Sequence, residues 1–105
     1  MSFVKVASKD EIENGRGKVA NIKGREVALL NDNGKLFAIE NACKHVGGPL
    51  GEGSCGNGKV TCPWHSWTYD LKTGENTFDE NIKLEIYEVK IKDEDVLVNI
   101  EAKGG

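Results

Sequence analysis

Apolar residues in this chain fall in short runs separated by polar turns, and no stretch longer than about ten residues carries a helical period. Phe3, Val4 and Val6 predict an opening strand, and Ser8-Lys9-Asp10-Glu11 a brief helical turn or loop. Lys18 to Ile22 predicts a second strand through Val19, Ala20 and Ile22. The clearest local signal is a hairpin. Val27-Ala28-Leu29-Leu30 and Leu36-Phe37-Ala38-Ile39 flank Asn31-Asp32-Asn33-Gly34, where Asn-Gly supplies the positive backbone dihedrals of a tight turn. Uninterrupted apolar runs of this length read as buried strands. Further on, Ile82, Leu84 and Ile86 alternate, then Tyr87, Val89 and Ile91 alternate in the opposite phase, as a bulge or twist in one long strand would produce. Val96, Val98 and Ile100 predict a last strand after the turn Lys92-Asp93-Glu94-Asp95. The fold class is all-β.

Between these sheet-like halves, Cys43 to Tyr69 has a different texture. Six of the 13 glycines lie between Gly47 and Gly58, a density that gives up core packing for a backbone able to curl around something. Both histidines and two of the three cysteines sit at its borders, as Cys43-Lys44-His45 and Cys62-Pro63-Trp64-His65 with sixteen residues between. Each short motif puts one soft thiolate and one imidazole on a single loop, and two such loops make a four-ligand set. On ligand identity alone a structural zinc is a common occupant of such a set. Zinc fingers usually place their histidines together after their cysteines, often on a helix, whereas here Cys and His alternate within glycine-rich β context.

Size and charge narrow the function classes. A chain of 105 residues is the size of one compact domain, and a stiffening cofactor would add to its modest core. The net charge of −3 leaves no electrostatic footprint for nucleic acid or anionic lipid and points to a basic partner. That charge is uneven, about +1 over residues 1–52 and −4 over residues 53–105, although scattered surface charge is ordinary. No apolar run spans a bilayer and the start lacks the pattern of a signal peptide, so a cytoplasmic location is expected. An odd cysteine count without an export signal argues for metal binding over a disulfide framework.

The two motifs, Cys43-Lys44-His45-Val46-Gly47-Gly48-Pro49-Leu50 and Cys62-Pro63-Trp64-His65-Ser66-Trp67-Thr68-Tyr69-Asp70 followed by Thr73-Gly74, resemble those of the Rieske-type [2Fe-2S] ferredoxins. The chain is also similar to the small subunit of assimilatory nitrite reductase. The resemblance implies an antiparallel β-sandwich or barrel-like base over residues 1–105, with a cluster-binding subdomain of two ligand loops inserted at about 43–69. It implies one [2Fe-2S] cluster per chain, with Cys43 and Cys62 on one iron and His45 and His65 on the other. It makes the protein a soluble one-electron carrier, a monomer when free, between a reductase and a terminal oxygenase or other oxidoreductase. The alternative is a permanent small subunit of a nitrite-reductase-like complex. Oxygenase activity of its own is excluded, since a mononuclear iron needs two further histidines and the chain has two in all.

Three departures from the family pattern carry expectations. Relatives in respiratory complexes clamp their loops with a disulfide at the positions of Gly48 and Trp64, so that bridge is absent here. High-potential members place a hydroxyl donor where this chain has Trp67 and a second where it has Tyr69, so one of two donors is lost. The expected potential is near the low end of the Rieske range, roughly −150 mV. Trp64, Trp67 and Tyr69 are the residues expected beside the cluster, with Trp64 shielding it, meeting a partner or packing in the core. The segment from Glu75 to Lys83 lacks the prolines of many relatives, leaving Phe78 as a candidate apolar lid. Cys55, between Ser54 and Gly56, is expected to have no role.

Overall fold

The computed structural model describes residues 3–43, 47–64 and 66–103. Among the described residues nine strands follow one another: β1 (Val4–Ser8), β2 (Gly17–Ile22), β3 (Arg25–Asp32), β4 (Lys35–Glu40), β5 (Ser54–Gly56), β6 (Lys59–Thr61), β7 (Thr68–Asp70), β8 (Ile86–Lys92) and β9 (Asp95–Lys103). Single 3₁₀ turns occupy Lys9–Glu11 and Leu50–Glu52. The expected opening strand starts at Val4, and the helical turn near Ser8 is present as the first 3₁₀ turn. Among the described residues no helix is long and apolar enough to cross a membrane.

Hairpin chemistry sets the topology. Asn33 and Gly34 both take positive φ, 55° and 92°, and close the β3–β4 hairpin as the Asn-Gly pair predicts. The same pairing of a left-handed residue with glycine closes β2–β3 at Lys23-Gly24 and β5–β6 at Asn57-Gly58. Six strands form one antiparallel sheet in the order β1-β9-β8-β4-β3-β2, whose outer strands β1 and β2 approach each other so that the sheet nearly closes. The other three, β5-β6-β7, form a small sheet inserted between β4 and β8.

Two cores result, one on each face of the large sheet. Val27 and Leu29 of β3 point into a core with Ala7, Ile12, Ile22, Ala38, Tyr87, Val96 and Val98. Ala28 and Leu30 point the other way, into a core with Ile39, Leu50, Val60, Tyr69, Leu71, Leu84 and the two cysteines Cys43 and Cys62. A strand buried on both faces reads as an unbroken apolar run, which is why Val27 to Leu30 shows no alternation.

The phase change after Ile86 has the same origin. The anticipated single strand from Ile82 to Ile91 is two pieces. Before β8 the chain is held by Leu84 N–H to Gly74 O at 2.9 Å and by a bridge of Glu75 with Lys83. Leu84 is buried in the insert-side core with Ile82 and Ile86 packed against it, whereas Tyr87 and Val89 belong to the opposite core. The change of core falls between Ile86 and Tyr87, just before the register slips between Tyr87 and Glu88.

Candidate metal centre

The two cysteine loops are built alike. Cys43 N–H donates to Gly48 O at 2.9 Å, and Cys62 N–H donates to Trp67 O at 2.7 Å, so each loop is closed five residues after its cysteine. In the first loop Gly47 N–H also returns to Cys43 O at 2.8 Å. Lys44, His45, Val46 and His65 lie outside the described residues.

Below the first loop a buried amide fixes its base. Asn41 O accepts Leu50 N–H at 2.8 Å, Asn41 Oδ1 accepts Gly51 N–H at 2.8 Å, and Ala42 bridges Pro49. The Asn41 amide nitrogen donates to Glu26 Oε1 at 3.3 Å, which ties the loop to β3. Sequence reasoning missed Asn41, and the signal was slight: an asparagine after an apolar strand reads as an ordinary turn residue.

Both thiols are free and buried, Cys43 at 2% exposure and Cys62 at 1%. Burial pushes the Cys62 thiol up, the Trp64 N–H eases it down, and the neighbouring Cys43 pushes it up again. Two adjacent buried sulfurs with no disulfide make a soft donor pair. That donor set fits an iron held by two thiolates. Two hydrogen-bond donors face the sulfurs: the Tyr69 hydroxyl is 3.3 Å from Cys43 Sγ, and Trp64 N–H is 3.4 Å from Cys62 Sγ. A thiolate can only accept, so against a bound metal the Tyr69 O–H donates. Tyr69 is fully buried on β7, so the inward aromatic and the sulfur donor are one residue.

Gly48 and Trp64, the positions of the missing disulfide, meet in space. A β-carbon at position 48 would stand 2.8 Å from Cys62 Sγ and 3.1 Å from the Trp64 ring. The indole lies against the bare backbone of the first loop, so the two loops pack directly on each other there. Only glycine leaves room for it. Trp64 nonetheless keeps half its surface exposed.

Trp67 packs against the insert-side core and meets Phe78 in a T-shaped contact, ring centroids 4.8 Å apart at 87°. Phe78 thus covers Trp67. Ser66, exposed in a left-handed conformation (φ 57°), turns the chain from the second motif into β7. Cys55 stands apart, its Sγ donating to Asn31 O at 3.2 Å. Burial first, then the charge of Asp32, raises its pKa, so it stays a protonated thiol.

Comparison with known proteins agrees with this geometry. The family model of the Rieske [2Fe-2S] domain matches residues 2–88. The ferredoxin subunit of a biphenyl dioxygenase from Pseudomonas sp. (strain KKS102) is 31% identical over 94% of this chain and 93% of its own length. Apoptosis-inducing factor 3 of Homo sapiens is 35% identical over 84% of this chain, which spans only 15% of that longer protein. The solved ferredoxin of carbazole 1,9a-dioxygenase from Nocardioides aromaticivorans IC177 has a TM-score of 0.84 at 27% identity, covering 93% of this chain and 97% of that one. With paired loops, buried thiols and a near-closed antiparallel sheet beneath them, the chain belongs to the Rieske [2Fe-2S] domain family, whose cofactor is a [2Fe-2S] cluster.

Proposed function

We propose that this chain is a one-electron carrier, an electron-transfer component and not a catalyst, holding one [2Fe-2S] cluster between loops 43–48 and 62–67. Cys43 and Cys62 bind one iron and His45 and His65 the other, within a cluster-binding unit over about 43–69 of a single domain spanning residues 1–105. The observation that carries the reading is the convergence of two free, buried thiols from two identically closed loops. Bound there, the cluster supplies a site that takes up and releases one electron.

The residues of the chain set how that electron is held. Packing around Cys43 and Cys62 excludes water from the sulfurs, which raises the cost of added negative charge. The Tyr69 O–H and the Trp64 N–H oppose that cost by donating to the sulfurs, and their bonds strengthen as charge grows on reduction. With Trp67 in place of a hydroxyl donor, two donors remain on the described side of the site, in keeping with a potential low in the Rieske range, roughly −150 mV.

The partners follow from the relatives. Ferredoxin components of dioxygenase systems are similar to this chain over almost all of their length, so its electrons pass from a reductase to a terminal oxygenase or another oxidoreductase. It works in the cytoplasm as a monomer when free. Metal and sulfide analysis with reductive titration tests the carrier reading: one electron per [2Fe-2S] cluster supports it, and a redox-silent protein overturns it. Gel filtration of native extract distinguishes the shuttle, eluting alone, from a permanent subunit, eluting in a stoichiometric complex.

A further inference from the structure

Beyond the two cysteine loops, a third segment presents an aromatic ring outward. Phe78 is 63% exposed, the most exposed of the large apolar side chains described. The fold holds it in that position. Asn76, itself buried, accepts Phe78 N–H at 2.9 Å and Asp79 N–H at 3.2 Å through Oδ1. Thr77 N–H donates to Thr68 O at 2.9 Å, and Asn76 N–H to Ile82 O at 2.8 Å, so the turn is fastened on both sides. An exposed aromatic fixed by its own backbone, with a polar rim, has the form of an interface anchor.

The rim is acidic. A recess of about 480 Å³ beside Phe78 is lined by Asp70, Glu75, Asp79 and Glu80 against one base, Lys59. Lys83, the other nearby base, is paired with Glu75 at 3.7 Å. The ring makes its T-shaped contact with Trp67, whose carbonyl closes the second ligand loop.

We propose that Phe78, with Asp79 and Glu80, anchors a docking surface for a redox partner whose electron-entry site is an apolar slot rimmed by lysine or arginine side chains. The recess beside the ring takes one of those basic side chains. This rests on the carrier reading and adds to it which segment chooses the partner: the third segment, through Trp67, brings the partner against the second ligand loop. A partner with an acidic rim is repelled by the same charges, which is the source of specificity.

Stopped-flow oxidation of the reduced, cluster-loaded protein tests this with two acceptors: cytochrome c, whose haem edge is ringed by lysines, and ferricyanide, a small anion. The variants are Asp79→Lys/Glu80→Lys, Phe78→Ser, and a control of equal charge change, Asp10→Lys/Glu94→Lys, in the first 3₁₀ turn and the β8–β9 turn, where both residues are exposed. The proposal expects the first variant to slow cytochrome c about tenfold at low salt, converging with the parent at high salt, and to speed ferricyanide. Phe78→Ser should slow cytochrome c several-fold at every salt concentration and leave ferricyanide and the cluster spectrum unchanged. The control should stay within about twofold of the parent with cytochrome c. Equal slowing by the control variant would mean that only net charge acts and would overturn the proposal, as would unchanged cytochrome c rates in both Phe78→Ser and the Asp79/Glu80 variant. Failure of the parent protein to reduce even ferricyanide would overturn the carrier reading, and this proposal with it.

Discussion

On one face of the large sheet Val27, Leu29, Val96 and Val98 bury aliphatic carbon against their neighbours; on the other, Leu30 and Ile39 share a core with two free thiols and a tyrosine hydroxyl. The first core is complete with protein atoms, because close-packed aliphatic side chains need nothing further. The second encloses two free thiols, and its walls are short strands of three residues joined by glycine-rich loops. So the large sheet is a frame built by aliphatic burial, and the order of the insert is expected to depend on its cofactor. Asn41, just after β4, ties the first loop to this frame, while the hairpin β6–β7 of the insert carries the second.

The largest effect should separate the two regions outright. Cys43→Ser or Cys62→Ser is expected to abolish cluster binding and, by hydrogen exchange, to reduce amide protection in β5–β7 by about 100-fold or more while β3, β8 and β9 stay protected. Loss of protection throughout would show that frame and insert are one cooperative unit. Next, Leu29→Ala, which opens a cavity in the aliphatic core, should lower unfolding stability in denaturant titrations by about 2–5 kcal/mol. The reduction potential of the folded fraction should not move, since Leu29 lies on the face away from the thiols.

Smaller changes sharpen the contrast inside the insert. Gly48→Ala puts a methyl group against Cys62 Sγ and the Trp64 ring, with an expected cost of about 1–3 kcal/mol in stability and a lower iron content per purified chain. Tyr69→Phe removes the hydroxyl facing Cys43 Sγ while keeping the buried ring. The midpoint potential should fall by about 40 mV, the one-electron equivalent of about 1 kcal/mol, in spectroelectrochemical titration. Least of all, Cys55 should alkylate several-fold more slowly than a free thiol near pH 8. Its raised pKa leaves less thiolate at that pH, and the difference should shrink as pH rises through the folded-state pKa.

Much of the frame was legible because its signals are local. Asn33-Gly34 dictates a hairpin by backbone sterics, and the unbroken run Val27 to Leu30 announces a strand buried on both sides. The spacing of cysteine and histidine picked out the two loops, and the structure buries Cys43 and Cys62 together at their starts. What stayed hidden depends on groups distant in sequence. Nothing local to Asn41 says that its amide will bind the backbone of Gly51, or that Gly48 must be bare because Trp64 lies on it. The reversal of phase after Ile86 was visible, but its cause, a strand leaving one core for another, needs the topology. Phe78 could be read as a candidate apolar lid, but that it covers Trp67 while keeping most of its own surface exposed needs the turn built on Asn76.

The central claim, that two thiols and two imidazoles on paired loops hold one redox-active cluster, is tested most directly on anaerobically purified protein. Iron, acid-labile sulfide and zinc are measured, and electron paramagnetic resonance spectra are taken before and after dithionite reduction, with ¹⁵N-histidine labelling to read the ligands. The account predicts two irons and two sulfides per chain, one electron taken up, and a reduced signal of low average g coupled to two histidine nitrogens. One zinc, no sulfide and no signal on reduction, in protein made with ample iron, would contradict it.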